Sequence, residues 1–416
     1  MSSSSRTSVY LDNAASQAMV PAAIEAILPV LSQSGNASSL HGAGRQARRL
    51  LEESRETIAA ALGARPSEVL FTSGGTEADN LAVKGIFWAR HRSDPRRRRI
   101  VISAIEHHAI LDAAEWLVSA DDAELVLLPV DGEGFVNPDD LRRELAENAE
   151  RTALVSVMWA NNEVGTIEPI ADLAAISAEY GVPMHSDAVQ AVGHIPVDFA
   201  ASGLSAMSVA AHKFGGPQGV GVLLIGRDVA CVPLTHGGGH ERDLRSGTQN
   251  VAGAVGMAAA VRYSVEHLDD AAASTSALAD QLADIVLAFP GTRRNGPSGG
   301  HRLPGIVHVS FDRCEGDSLL MLLDAQGVEC STGSACTAGV AQASHVLLAM
   351  GLSMDIARGS LRFSLAPTTT ADDIAVVADV LGPIIDRARA AGLVSSSKRA
   401  AVAPAASLVV QGGSRT

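Results

Sequence analysis

Three lysines occur in the 416 residues, and one of them stands where an amine could do chemistry. Lys84 lies within a helical apolar pattern and Lys398 in a Ser/Ala-rich tail. Lys213 closes the apolar stretch 204–211 and lies in Ala-His-Lys-Phe-Gly-Gly, the pattern of a buried strand running into a glycine turn. An amine there can condense with a carbonyl cofactor if its surroundings depress its pKa. Asp187, in Ser-Asp-Ala-Val-Gln, follows another apolar run. A carboxylate and a lysine on neighbouring strand ends suit pyridoxal phosphate (PLP): the acid keeps the pyridine nitrogen protonated and the lysine holds the aldehyde. A lone lysine rarely has that role, so companion residues are needed.

The run 68–80, Glu-Val-Leu-Phe-Thr-Ser-Gly-Gly-Thr-Glu-Ala-Asp-Asn, reads as strand, glycine turn and helix start. Gly74 and Gly75 permit close approach of a ligand, and the N–H groups of Thr76 and Glu77 would face an anion at the positive end of the helix. The plainer alternative is a βα turn with Thr76 as N-cap, and the GKS/T ending of a Walker loop is missing. His107 and His108 follow a strand ending near Ser103. A histidine there could be a surface residue, a metal ligand or a ring stacked on a flat cofactor; adjacent histidines point apart, which disfavours a shared metal. Asn161 or Asn162 could reach a phenolic oxygen, or simply form a polar turn with Gly165 at positive φ.

Cys336 lies in Ser-Thr-Gly-Ser-Ala-Cys-Thr-Ala-Gly, small residues with little capacity to pack. A thiolate there could attack a substrate sulfur, although a lone cysteine is more often buried and inert. Cys330 continues an apolar pattern and reads as structural. No CxxC pair exists among the four cysteines, so no metal site is expected.

These residues need a large framework, and the composition supplies it. Hydrophobic residues make up 47% of the chain and aromatics only 3%, so Ala, Val, Leu and Ile fill the core. A net charge of −14 argues against binding a nucleic-acid backbone. The opposing run Arg96-Arg97-Arg98-Arg99 reads as a solvated loop before a strand. No apolar run reaches the roughly 18 residues of a membrane span. The N-terminus lacks the apolar core of a signal peptide, and few cysteines fit a reducing cytoplasm.

Strand-like runs at 69–72, 100–103, 125–128, 153–158, 183–186, 206–210 and 220–225 alternate with helical patterns at 22–32, 45–62, 77–89, 110–119 and 170–180. This alternation predicts a mostly parallel, doubly wound α/β sheet, with ligands at the carboxyl ends of its strands. An Ala-rich helical stretch, 250–289, leads to a smaller α+β unit with strands at 306–311, 328–330 and 360–364 and helices at 317–325 and 371–391. The expected organisation is a large domain over 16–255 and a small domain over 256–393 joined by residues 1–15. A Ser/Ala/Gly-rich tail, 394–416, is expected to be disordered.

Motifs in a single order carry a family resemblance. They begin with Tyr10-Leu-Asp-Asn-Ala-Ala15, Gly35-Asn-Ala-Ser-Ser39, Gly74-Gly-Thr-Glu77, Glu106-His107, Asn161-Asn-Glu-Val-Gly165, Asp187-Ala-Val-Gln190 and His212-Lys213. They continue with His236-Gly-Gly-Gly-His-Glu-Arg242, Arg245-Ser-Gly-Thr248, Ser331-Thr-Gly-Ser-Ala-Cys336-Thr and Ser360-Leu-Arg362-Phe-Ser364. Over about residues 9–390 the chain resembles the PLP-dependent cysteine desulfurases of the NifS/IscS type, in the class V aminotransferase group. The resemblance implies a PLP fold-type I enzyme converting L-cysteine to L-alanine, with an enzyme-bound persulfide on Cys336. It implies that Lys213 holds PLP and shuttles the Cα proton, that Asp187 pairs with the ring nitrogen and that His107 stacks on the ring and, as a catalytic residue, exchanges protons. Gln190 and Asn162 would contact the phenolic oxygen and substrate side. Gly75, Thr76 and His212 would bind the phosphate, with Thr248 reaching it from the other subunit of a homodimer. Arg362 would clamp the substrate carboxylate. An iron–sulfur scaffold or another acceptor protein, including a tRNA-thiolation carrier, would take the sulfur. Two positions depart from the family pattern: Ala210 replaces a phosphate-contacting hydroxyl, and Ala343 stands where Pro is common. The competing readings are another class V enzyme, such as a selenocysteine lyase, aminotransferase or epimerase, and a non-catalytic scaffold.

Overall fold

A computed structural model describes residues 8–333 and 343–402. Its twelve strands are β1 (Val9–Tyr10), β2 (Val69–Thr72), β3 (Arg99–Ser103), β4 (Glu124–Leu128), β5 (Thr152–Ser156), β6 (Met184–Asp187), β7 (Ala206–Ala210), β8 (Gly221–Ile225), β9 (Thr292–Asn295), β10 (Ile306–Phe311), β11 (Val328–Glu329) and β12 (Ser360–Ser364). Seven of them form the main sheet in the order β2-β8-β7-β6-β5-β3-β4, with β8 antiparallel to both neighbours and the other pairs parallel. The seven strands expected in this region all form, with ends shifted by no more than two residues.

Side chains that alternate along each strand enter opposite layers. Val69 and Phe71 pack on one face with Val101, Val155, Met207 and Val222. Leu70 packs on the other with Ile100, Ile102, Leu154, Ala206 and Leu223. Burial on both faces explains why these strands read as continuous apolar runs. Helices Gly42–Ala61, Ile170–Glu179 and Val251–Glu266 cover the first face through Leu51, Ile58, Leu173, Met257 and Val261. Helices Gly75–Ser93 and His108–Asp121 cover the second through Leu81, Ile86, Ile110 and Leu117.

A separate core surrounds the antiparallel sheet β12-β10-β9. Val307, Val309, Leu361 and Phe363 meet Leu282 and Val286 of helix Leu268–Leu287 and Ile374 and Leu381 of the last helix. The N-terminal strand joins this body, since β1 pairs in parallel with β11 and Val9 and Leu11 are buried in the same cluster. The boundary expected at 255/256 falls inside helix Val251–Glu266, whose Ala254, Met257 and Val261 belong to the main-sheet core.

The final helix runs Ala371–Val402, beyond residue 394 where a disordered tail was expected. The part of that tail after Val402 lies outside the described residues. Helix Pro138–Asn148 was also unexpected, although Asn137 caps it and Pro138 occupies its first position. The arginine run is a neutralised edge beside β4. Arg96 pairs with Asp94 and Glu150, Arg98 with Asp122 and Glu124, and Arg99 with Glu124 and Glu144.

Candidate active site

The carboxyl ends of β2, β3, β5, β6 and β7 surround a cavity of about 400 Å³, closed on the far side by Ser331, Gly333 and Arg362. Strand order brings these ends together: Asp187 is the last residue of β6, and Lys213 lies in the single turn Ala211–Lys213 that follows β7 beside it. Lys213 Nζ donates to the carbonyl of Ala14 at 2.6 Å and to that of Ala15 at 3.1 Å. Burial, then the Arg362 guanidinium, lowers its pKa to about 8, with Asp187 and Asp12 opposing. Asp187 Oδ1 accepts from the backbone N–H of Val189 at 2.9 Å. Burial pushes its carboxyl up to about 6 while that N–H and Lys213 hold it down. Gln190 donates to the carbonyl of Ala14 at 2.7 Å, so one backbone oxygen fastens both Gln190 and Lys213.

The glycine turn after β2 opens helix Gly75–Ser93, and both Gly75 and Thr76 line the cavity. Gly74 is the N-cap at φ 156° and ψ −177°, a conformation essentially confined to glycine. A Cβ on Gly75 would lie 2.8 Å from Val189 Cγ2, which is why the turn can sit against the segment after Asp187. Thr76 is therefore inside the first turn rather than the cap. Glu77 accepts from Ser73 N–H and pairs with Arg245 at 2.8 Å, which orders the loop carrying Thr248.

His107 caps helix His108–Asp121, its Nδ1 accepting from the Ala109 N–H at 3.1 Å. The neutral ring then carries its proton on Nε2. Burial, then Lys213, lowers its pKa to about 4. His108 pairs with exposed Asp112, and its ring meets His345 edge-on at 5.1 Å. Asn161 is consumed internally, accepting from Glu163 and Val164 and donating to Ile105. Asn162 lines the cavity, and its carbonyl accepts from Arg362 at 2.9 Å. Arg362, on β12, also holds Asp12 at 2.6 Å with its side chain 5% exposed. His212 lines the cavity and contacts Ser16 Oγ at 3.4 Å. Thr248 is exposed and is not among the residues lining this cavity.

Cys336 lies outside the described residues; Gly333, at the near edge of the described chain, lines the cavity. Cys330 is buried, and burial pushes its thiol up to about 12, so it carries no thiolate at neutral pH. Among the described residues no cluster of His, Cys, Asp and Glu is arranged to hold a metal. Sequence reading missed the carbonyls of Ala14 and Ala15, Asp12, and the cavity-lining acids Asp79, Glu106 and Glu163. Asp12, Ala14, Ala15, Glu106 and Glu163 stand inside the quoted motifs without a role read for them, and Asp79 is an acid set among Ala78, Leu81 and Ala82.

A buried amine of lowered pKa, a buried carboxyl at a strand end and a glycine-opened helix N-terminus face one cavity. Its volume lies in the usual range for cofactor pockets. This donor set fits PLP: an amine for its aldehyde, an acid for its ring nitrogen and backbone N–H groups for its phosphate.

Residues 9–377 match the pattern of the family described as Aminotransferase class-V. The chain belongs to that family. The IscS-like cysteine desulfurase of Mycobacterium tuberculosis is 58% identical over 388 residues, covering 93% of this chain and 98% of that protein. Cysteine desulfurase IscS of Methanosarcina thermophila is 40% identical over 389 residues, 93% of this chain and 94% of its own. Among solved structures, a NifS-like protein superposes with a TM-score of 0.83 at 36% identity, covering 91% of this chain and 99% of its own. A NifS-like protein from Rickettsia africae gives 0.82 at 30% identity, with the same coverage of 91% and 99%. Within its family the chain groups with the PLP-dependent cysteine desulfurases of the IscS and NifS type.

Proposed function

We propose that this chain converts L-cysteine to L-alanine and takes the sulfur onto Cys336 as an enzyme-bound persulfide. The observation that carries this reading is the Lys213 amine, held at a pKa of about 8 beside Asp187 in one cavity that Arg362 also lines. Such an amine is partly neutral at physiological pH, as both a carbonyl-holding group and a base must be.

When bound, PLP supplies the electron sink that delocalises the charge left at the substrate Cα. Lys213 would hold the cofactor and then take and return the Cα proton. Asp187 would pair with the ring nitrogen, and His107, neutral with its proton on Nε2, would stack on the ring. Gly75, Thr76 and His212 would hold the phosphate at the helix N-terminus. Gln190 and Asn162 would contact the phenolic oxygen and the substrate side. The fork of Arg362 would exchange its present partners for the substrate carboxylate. The Cys336 thiolate would attack the substrate sulfur: an S–S bond forms, the C–S bond breaks and its electron pair stays with carbon, which gains a proton to give alanine.

The two cores support a division into a large cofactor-binding domain and a small domain that includes residues 8–15. A homodimer would bring Thr248 to the partner's phosphate site. Exposed apolar residues on one helix and its following loop support this, with Ile24 43%, Leu28 61%, Leu31 65% and Leu40 89% exposed. The persulfide would pass to an iron–sulfur scaffold or, as a further route, to a tRNA-thiolation carrier in the cytoplasm. No described helix is long and apolar enough to cross a membrane.

Mass spectrometry after incubation with L-cysteine tests the central step, the expected result being one added sulfur on Cys336. Cys336→Ser should retain PLP but form no persulfide or alanine, whereas Cys330→Ser should keep most activity. An active Cys336→Ser beside a dead Cys330→Ser would mean that the other cysteine is the acceptor.

A further inference from the structure

Besides Glu163, which accepts from Ser344 Oγ, two buried carboxyl groups of the same cavity have no task in the reaction above. Asp79, one turn into helix Gly75–Ser93, and Glu106, in the loop after β3, are each 1% exposed and both line the cavity. Asp79 Oδ1 and Glu106 Oε2 have no hydrogen-bond partner. The second oxygen of Glu106 is well occupied, accepting from Ser103 Oγ at 2.6 Å and from the Met158 N–H at 2.8 Å. Behind Asp79 runs a chain of buried polar side chains on three adjacent strands. Ser208 bonds Asp79. Ser208 Oγ lies 2.9 Å from His185 Nε2, and His185 Nδ1 lies 2.9 Å from Ser156 Oγ.

The charges around these acids are unbalanced. Asp79, Glu106 and Asp187 repel one another, and Glu168 adds to the field at Glu106. Lys213 acts on Asp187, and Arg362 is occupied by Asp12. His185 lies 3.8 Å from Asp79 Oδ1, but burial lowers its pKa to about 3 and keeps it neutral. His345 meets Glu106 only at its backbone carbonyl, 2.9 Å away, and His107 points its Nδ1 at its own helix. A buried carboxylate with no cation and an unbonded oxygen is strongly disfavoured, whereas the protonated acid escapes most of that cost.

We propose that Asp79 and Glu106 are positioning residues held as neutral carboxylic acids, which leave Asp187 as the one anion of this cavity-lining trio. The inference rests on the PLP-site reading above, in which Asp187 must be ionised. The polar chain behind Asp79 supplies no cation: neutral His185, with its single proton on Nε2, faces Ser208 Oγ there and accepts from Ser156 at Nδ1. The unbonded Oδ1 of Asp79 meets no donor among the described residues, so an acid proton fits on it. The directions agree: burial pushes Glu106 up to about 8 and raises Asp79 well above the usual carboxylate range, while Asp187 reaches about 6. Between about 6 and 8 Glu106 keeps its proton and Asp187 is charged.

Infrared difference spectra of the PLP-loaded enzyme test this without turnover. Two samples carry carboxyl-13C aspartate or glutamate. At pH 7 each label should shift a protonated-acid carbonyl band. Asp79→Asn should remove the aspartate band. Glu106→Gln should remove part of the glutamate band, because Glu168, pushed up to about 8 by burial, and Glu163, also pushed up by burial, contribute to the remainder. Raising the pH to 9 should convert the Glu106 signal to carboxylate. An aspartate label that shifts no acid band in the unmutated enzyme overturns the inference even if the variants fail to fold. So does an Asp79→Asn variant that loses carboxylate absorption instead. Because the readout needs no catalysis, either result leaves the desulfurase reading standing, and absence of desulfurase activity leaves the protonation result standing.

Discussion

Capture of PLP by the apoprotein should accelerate with rising pH and level off above about 8, the value to which burial and Arg362 bring Lys213. Only the neutral amine attacks an aldehyde. At pH 7 an amine of pKa 8 is neutral in about one molecule in eleven, against about one in 3,000 for an ordinary lysine of pKa 10.5. The site therefore makes the reactive form roughly 300 times more abundant. Arg362→Leu removes the largest contribution after burial, so the midpoint should move up and capture at pH 7 should slow, by about tenfold for each full step of pKa. Asp12→Asn removes a charge that raises the pKa and should move the midpoint down. Stopped-flow absorbance between pH 6 and pH 10 reads these rates, with Lys213→Ala as baseline. A midpoint near 10.5 in the unmutated protein, or one that Arg362→Leu leaves in place, would refute the reasoning. The same lowering has a thermodynamic sign. Between about 8 and 10.5 the unfolded chain holds a proton on this lysine that the folded chain does not, so apoprotein stability should rise with pH across that window.

Arg362→Lys keeps a charge but loses the planar fork, so kcat/KM for cysteine should fall roughly 10- to 100-fold with PLP still bound; an unchanged kcat/KM would remove Arg362 from the site. Thr248→Val should weaken PLP retention by roughly 1–3 kcal/mol if the hydroxyl bonds a phosphate across a dimer interface. Sedimentation showing a fully active monomer would exclude that arrangement.

The local chemistry of the site was readable in order along the chain. Lys213 and Asp187 each follow an apolar run because the strands preceding them are buried on both faces. Gly74 and Gly75 stood out for two reasons: Gly74 takes a backbone conformation that side chains rarely adopt, and Gly75 lies against Val189 with no room for a Cβ. Other features left no local trace. His107 reads as a cofactor contact, yet it also caps a helix, a function set by which N–H group its ring meets. The left-handed run Glu241, Arg242 and Asp243, at φ 46°, 60° and 62°, contains no glycine that would announce it. It is held where Glu241 accepts from Arg55 and from the Phe71 N–H in a buried pocket.

Sequence alone determined which residues could carry the chemistry and which segments are strands, because residue type and hydrophobic period are properties of neighbours in the chain. Tertiary structure decided what those residues experience. Lys213 is fastened by carbonyls about 200 positions away, Arg362 by Asp12 at the opposite end of the chain, and Asp187 shares its cavity with acids from a helix and a different strand end. Sheet order sets these pairings. The protonation of a buried group follows from the surroundings that order creates, since desolvation and neighbouring charge act through space rather than along the chain.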